Sequence, residues 1–159
     1  MKILLKKMNF LPIIYMYIMF NYITGLICYR GERRMGDCRL YKCQCGYEKM
    51  IMLGAGRGAQ NLKIISMTVP EKVFEEFSRE HLVGKVSEYG MVNSVISCTE
   101  CGELNTVTEF SYTLEDKEIV YVSPCPGCGE ICPPLKDPEN IPCPRCGAEM
   151  KYSPVGSWD

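Results

Sequence analysis

Two short motifs near the C-terminus, Cys125-Pro-Gly-Cys128-Gly and Cys143-Pro-Arg-Cys146-Gly, constrain the fold more than anything else in this 159-residue chain. Each motif has two residues between its cysteines, and 14 residues separate the motifs. A Cys-x-x-Cys-Gly turn curls the backbone so that two thiolates point at one spot. The glycine takes a conformation that a side chain makes costly, and the proline after the first cysteine stiffens the turn. Two such knuckles supply four sulfurs in a tetrahedron, the geometry of a closed structural zinc site.

Two further half-sites precede them. Arg39-Leu-Tyr-Lys42 leads into Cys43-Gln-Cys45-Gly46, and Tyr47 to Leu53 continues as a strand. Cys98-Thr-Glu-Cys101-Gly102 is the natural partner in sequence order, 52 residues further on. The expectation is therefore one site from Cys43, Cys45, Cys98 and Cys101, and a second from Cys125, Cys128, Cys143 and Cys146. Two zinc ions are expected per chain. Soft thiolates also accept iron, which is the alternative metal for the C-terminal site.

The knuckles resemble those of the zinc-ribbon and rubredoxin-like superfamily. The residues that carry the resemblance are Cys125-Pro-Gly-Cys128-Gly, Cys143-Pro-Arg-Cys146-Gly and the variant Tyr41-Lys-Cys43-Gln-Cys45-Gly-Tyr47-Glu. Residues 35–159 look like small bacterial proteins with two ribbons, for which the resemblance implies metal binding and no assigned reaction. The implied fold is small α+β, mostly β: two ribbon modules of antiparallel strands, with a short helical insertion in the first. The expected division is a first ribbon at 35–118, with the insertion at about 60–90, and a second at 119–159.

Inside the insertion, Gly54-Ala-Gly-Arg57-Gly58 reads as a tight connection, with Arg57 the residue of interest if the turn cradles an anion. A short helix follows from Asn61 to Met67. Thr68-Val-Pro-Glu71 has the form of a capping box opening a second helix. Val73, Phe74 and Phe77 share one face of that helix, for packing on the sheet, and charged residues take the other. His81 is the single histidine, read as a surface or capping residue. Met91–Ser97 and Asn105–Tyr112 read as strands. Leu114-Glu-Asp-Lys117 is a turn, and Glu118–Val122 the returning strand. Cys38 and Cys132 are read as small packing residues, with a spare ligand or redox thiol as the sharper alternative. Trp158 is expected to cover a small core, or else to plug into a partner.

Residues 1–34 differ from the rest. They hold six Lys or Arg and one acid, and residues 8–28 are almost wholly apolar. The length suits a membrane span. Yet the composition is that of AT-rich DNA read in frame, and Gly31-Glu-Arg-Arg34 has purine-rich codons like a ribosome-binding site. Met35 is accordingly expected to be the start, with a membrane anchor or a cleaved leader as the alternatives. Cys28 falls in this segment. The remainder has 12 basic and 18 acidic residues, a net charge of −6. An acidic body disfavours nucleic acid as the main partner, because phosphate binding draws on clustered Lys and Arg.

Eleven cysteines are an odd number, which fits metal knuckles better than a disulfide framework. Thiolate sites persist where thiols stay reduced, so the cytoplasm is the expected compartment. The expected role is a non-catalytic zinc protein that acts as an interaction or accessory module with a protein partner. Rubredoxin-like electron transfer and ribosome or nucleic-acid association are the alternatives.

Overall fold

The computed structural model describes residues 36–158. The expectations for residues 1–34, for a start at Met35 and for Cys28 lie outside the described residues. The elements run β1 (Gly36–Lys42), β2 (Glu48–Leu53), α1 (Leu62–Thr68), α2 (Glu71–Leu82), β3 (Val86–Ser97), β4 (Leu104–Leu114), β5 (Lys117–Val122) and β6 (Lys151–Trp158). The class is small α+β, mostly β. Among the described residues no helix is long and apolar enough to cross a membrane.

The strands form two antiparallel three-stranded sheets, ordered β2-β1-β6 and β3-β4-β5. Strand alternation sets their faces. On β2, Ile51 and Leu53 are buried while Met50 and Met52 point outward, as period-two geometry requires. The β4–β5 hairpin turns on Glu115 and Asp116, both at positive φ (48° and 66°). That is the two-residue turn whose twist matches antiparallel strands. It locks the register from Leu114↔Lys117 to Glu109↔Val122.

The expected division at 118/119 does not follow the sheets, since the boundary falls inside β5. β1 pairs with β6 from Gly36↔Trp158 to Lys42↔Lys151, so the two ends of the described chain build one sheet. The other sheet is nested between them. The physical reason is that loop-closure entropy rises only slowly with loop length. Strand pairing therefore outweighs nearness in sequence.

Three apolar clusters hold the unit. Tyr41, Tyr47, Ile51 and Leu53 of the outer sheet meet Val95 and Leu104 of the inner one, together with Ile141 and Met150. Backbone bonds join the sheets as well: Gly54 and Asn93 exchange N–H···O bonds of 2.8 and 2.9 Å, and the Leu135 amide donates to the Val95 carbonyl at 2.8 Å. Gly54 makes its bridge at φ +83°, where a side chain would be strained. Ile96, Val107, Cys98, Cys125 and Cys132 form a small third cluster.

The helices cover β4. Asn61 caps α1 by accepting from the Lys63 and Ile64 amides at 3.0 and 3.3 Å. The capping box expected at Thr68 does not form. Thr68 closes α1 and its hydroxyl donates to the Ile64 carbonyl at 2.8 Å, while α2 starts after Pro70 without a side-chain cap. The apolar face of α2 packs as its spacing implies. Phe77 is fully buried and meets Phe110 edge-on at 5.1 Å and Tyr112 at 5.3 Å. His81, in the last turn of α2, is half-buried. Its ring stacks on Phe77 at 5.2 Å and meets Tyr89 at 5.0 Å, and desolvation lowers its pKa.

Trp158 covers the open end of the outer sheet. Its Nε1 donates to the Leu53 carbonyl at 3.1 Å, and its ring lies against Gly36, where a Cβ would come within 2.2 Å.

Phe77→Ala removes the ring on which this aromatic cluster converges. It should cost about 3–5 kcal/mol. Urea unfolding of the metal-loaded protein checks this, with an earlier midpoint and an unchanged slope expected.

Candidate metal centres

Each half-site is a turn built in the same way. The glycine after the second cysteine is left-handed in all four: Gly46 at φ 87°, Gly102 at 65°, Gly129 at 81° and Gly147 at 74°. In the three Cys-x-x-Cys turns this glycine's amide donates back to the first cysteine's carbonyl at 2.8–3.0 Å. The first cysteine's own amide is taken by the carbonyl two residues past the second cysteine: Glu103, Glu130 and Ala148. The Cys43 turn is the same device shortened by one residue, with Gly46 N–H to Cys43 O at 3.0 Å and Cys43 N–H to Tyr47 O at 2.9 Å. The missing residue is absorbed by closing the turn one residue earlier.

The structure brings together Cys43, Cys45, Cys143 and Cys146 in one cluster and Cys98, Cys101, Cys125 and Cys128 in another. Within each, all four sulfurs lie within 4.8 Å of one another. The eight residues are those named from spacing, but the pairing expected from sequence order is wrong on both counts. Cys43 and Cys45 do not meet Cys98 and Cys101, and no single site is assembled from Cys125, Cys128, Cys143 and Cys146. The iron alternative for that C-terminal quartet loses its site as drawn.

Strand direction explains the true pairing. β4 leaves the Cys98–Cys101 turn, and β5 runs antiparallel back to it, continued by the Ser123 amide on the Thr108 carbonyl at 2.9 Å. Cys125 therefore arrives beside Asn105, whose Nδ2 donates to its sulfur at 3.3 Å. Likewise β1 runs into Cys43 while β6 runs away from Cys146, and their pairing closes at Lys42↔Lys151. The hairpin at Leu114–Lys117 was legible in the sequence; its consequence, that Cys125 must return to Cys101, is the signal that identifies the pairing.

The donor set fits a tetrahedral ion. Four sulfurs about 2.3 Å from a common metal lie about 3.8 Å apart. The first centre has Cys43–Cys146 at 3.4 Å and Cys45–Cys143 at 3.6 Å. The second has Cys98–Cys128 at 3.4 Å and Cys101–Cys125 at 3.8 Å. In each centre two cysteines lie inward and two outward.

Protonation follows from crowding. The Cys101 amide, acting against desolvation, draws Cys98 down to about 6. Desolvation raises Cys143, but the Arg145 and Cys146 amides outweigh it and bring that thiol to about 7. Opposite them, the Cys45 amide fails to offset desolvation and the adjoining thiols, and Cys43 is pushed up to about 12. Cys128 is likewise pushed up to about 12: the Glu130 amide lowers it, but Cys98 and desolvation raise it further. A first thiolate in each quartet is easy, and further ones wait for a cation.

Residues not anticipated from the motifs surround the centres. Tyr47 is 2% exposed. Its hydroxyl donates to Glu103 Oε2 at 2.8 Å and accepts from the Leu104 amide at 3.0 Å, while the Arg145 guanidinium lies over its ring at 4.9 Å. It thus ties the Cys43 and Cys143 turns to the Cys101 turn. Asn105 carries no spacing signal that would have marked it. Arg57 is remote in role: it lines a cleft of about 510 Å³ with Asn93 and Trp158, inside a pair of turns between β2 and α1. Cys38 sits on β1 opposite Met52.

No protein-family model matches this chain, and neither does any curated protein or solved structure.

The nested pairing has a sharp test in metal stoichiometry. Replacing Cys43, Cys45, Cys143 and Cys146 together by Ala should leave one ion per chain; the pairing by sequence order requires that both be lost. Affinity should also depend on pH. Binding must expel protons from thiols such as Cys43 and Cys128, so chelator competition should show weaker binding as pH falls from 8 to 6. The fall steepens near and below about 7 and 6, where Cys143 and then Cys98 are protonated as well.

Proposed function

We propose that the protein is a non-catalytic zinc protein, with two structural four-cysteine centres that hold two nested ribbons together as an interaction or accessory module. The observation that carries this reading is the pair of complete sulfur quartets, each at tetrahedral spacing. A centre with four thiolate donors has no open position for water, whereas catalytic zinc keeps one. Each ion would join chain segments that are otherwise distant: Cys45 and Cys143 are 98 positions apart. The metal's binding free energy then becomes folding free energy.

The accessory role is supported by what the outer sheet leaves in solvent. Met50 is 61% exposed and Met52 37%, on the face that β1 and β2 turn away from the core. Apolar side chains held outward together on one strand face are available to a protein partner. The acidic balance of residues 35–159 argues against a phosphate backbone as the partner, since such binding needs clustered cations.

Purification without added metal, followed by elemental analysis, tests the assignment. Two zinc ions per chain and a colourless sample are expected, with loss of the β-sheet circular dichroism signal when a strong chelator strips both ions. A red, redox-active iron protein would sink the zinc reading and favour electron transfer.

A further inference from the structure

Beyond the shortened Cys43 turn of the first quartet, the second has a fifth thiol against it. Cys132 lies four positions past Cys128, and its thiol donates to Cys98 Sγ at 3.6 Å. That separation is within the range spanned by the ligand pairs themselves, 3.4–3.8 Å. Cys132 is 5% exposed and Cys98 1% exposed, and both belong to one small cluster with Ile96 and Cys125. A cysteine that merely filled apolar space would need only methyl neighbours. This one points its sulfur at a ligand sulfur from a buried position. Among the described residues no further cysteine sulfur is in hydrogen-bonding contact with the first quartet.

We propose that Cys132 is a reserve ligand of the second centre, positioned to take the metal when Cys98 lets go. The inference rests on the reading of the quartets as metal centres. A change between staggered χ1 wells carries a cysteine sulfur about 3 Å, close to the distance from Cys132 to the corner that Cys98 occupies. When Cys98 leaves the metal as a thiolate, it takes the Cys132 proton along the hydrogen bond that already joins them; the Cys132 thiolate closes the tetrahedron, and Cys101, Cys125 and Cys128 stay in place. The second centre therefore holds its ion through the loss of one ligand, and the first does not. Cys132 also enters from the buried side, so the exchange does not open the centre to water.

Cobalt(II) loading of the full chain tests this, because tetrathiolate cobalt has its own visible and near-ultraviolet absorption. Wild type should take two tetrathiolate ions; if it does not, the metal-centre reading itself fails and the question of a reserve ligand ends with it. Given two in wild type, Cys98→Ala should still show two, and Cys98→Ala with Cys132→Ala should show one. A single-site variant whose spectrum equals that of the double variant overturns the proposal. A second measurement covers the case in which Cys98→Ala does not fold. In the zinc-loaded Cys132→Ser protein, transfer to a chromophoric chelator should be several-fold faster for one ion and unchanged for the other. Equal rates for both ions in variant and wild type, or an equal acceleration of both, overturns it.

Discussion

Four sulfurs held within 4.8 Å of one another cannot all carry charge unless a cation sits among them. Like charges at such separations push protons back onto the thiols; desolvation and the adjoining thiols hold Cys43 and Cys128 up in the same direction. The rest of the structure is arranged around this constraint. Each turn aims amides toward its sulfurs and uses a left-handed glycine to reverse the chain. A dication then relieves the repulsion and closes two loops at once.

The nesting gives those closures their effect. The outer sheet joins the two ends of the described chain, and the inner sheet is formed by the chain between them. Tyr47 is the pin between them, with its backbone in the Cys43 turn, its hydroxyl on Glu103 and Leu104 beyond the Cys101 turn, and Arg145 over its ring. The shared cluster of Tyr41, Ile51, Val95 and Leu104 continues that junction in apolar contact. The helical pair has a separate cluster around Phe77, so it stiffens β4 without touching either quartet's sulfurs.

Much of this was legible in the residues. The Cys-Gly turns announced themselves through spacing, because only a reversal with a left-handed residue brings two sulfurs to one point. The α2 face and the β4–β5 turn followed from periodicity and from the acidic two-residue loop. What failed was the assumption that neighbours in sequence are neighbours in space. Four half-sites can pair in three ways, and the motifs are nearly identical, so nothing in them distinguishes one partner from another. Thr68 failed for a related reason: a hydroxyl that can cap the next helix can equally bond back into the previous turn, and only the packing of α1 decides which. For Cys132 the spare-ligand reading stood only as the alternative, because a cysteine four residues past a knuckle has no spacing that marks a ligand.

The sequence by itself determined the local chemistry: eight cysteines in four turns, an amphipathic helix, and a mostly β chain with an acidic body. Those properties depend on residues within a few positions of each other, where sterics and hydrogen bonding leave few choices. Only the tertiary structure decided that β1 closes on β6, so that one sheet lies inside the other in sequence order and Cys43 and Cys45 face Cys143 and Cys146, and that a fifth sulfur stands beside Cys98. Those are long-range matters. They are settled by strand direction and register, by the Tyr47 junction and by the closing of β1 on β6, and loop-closure entropy is too weak a function of length to reveal them in advance.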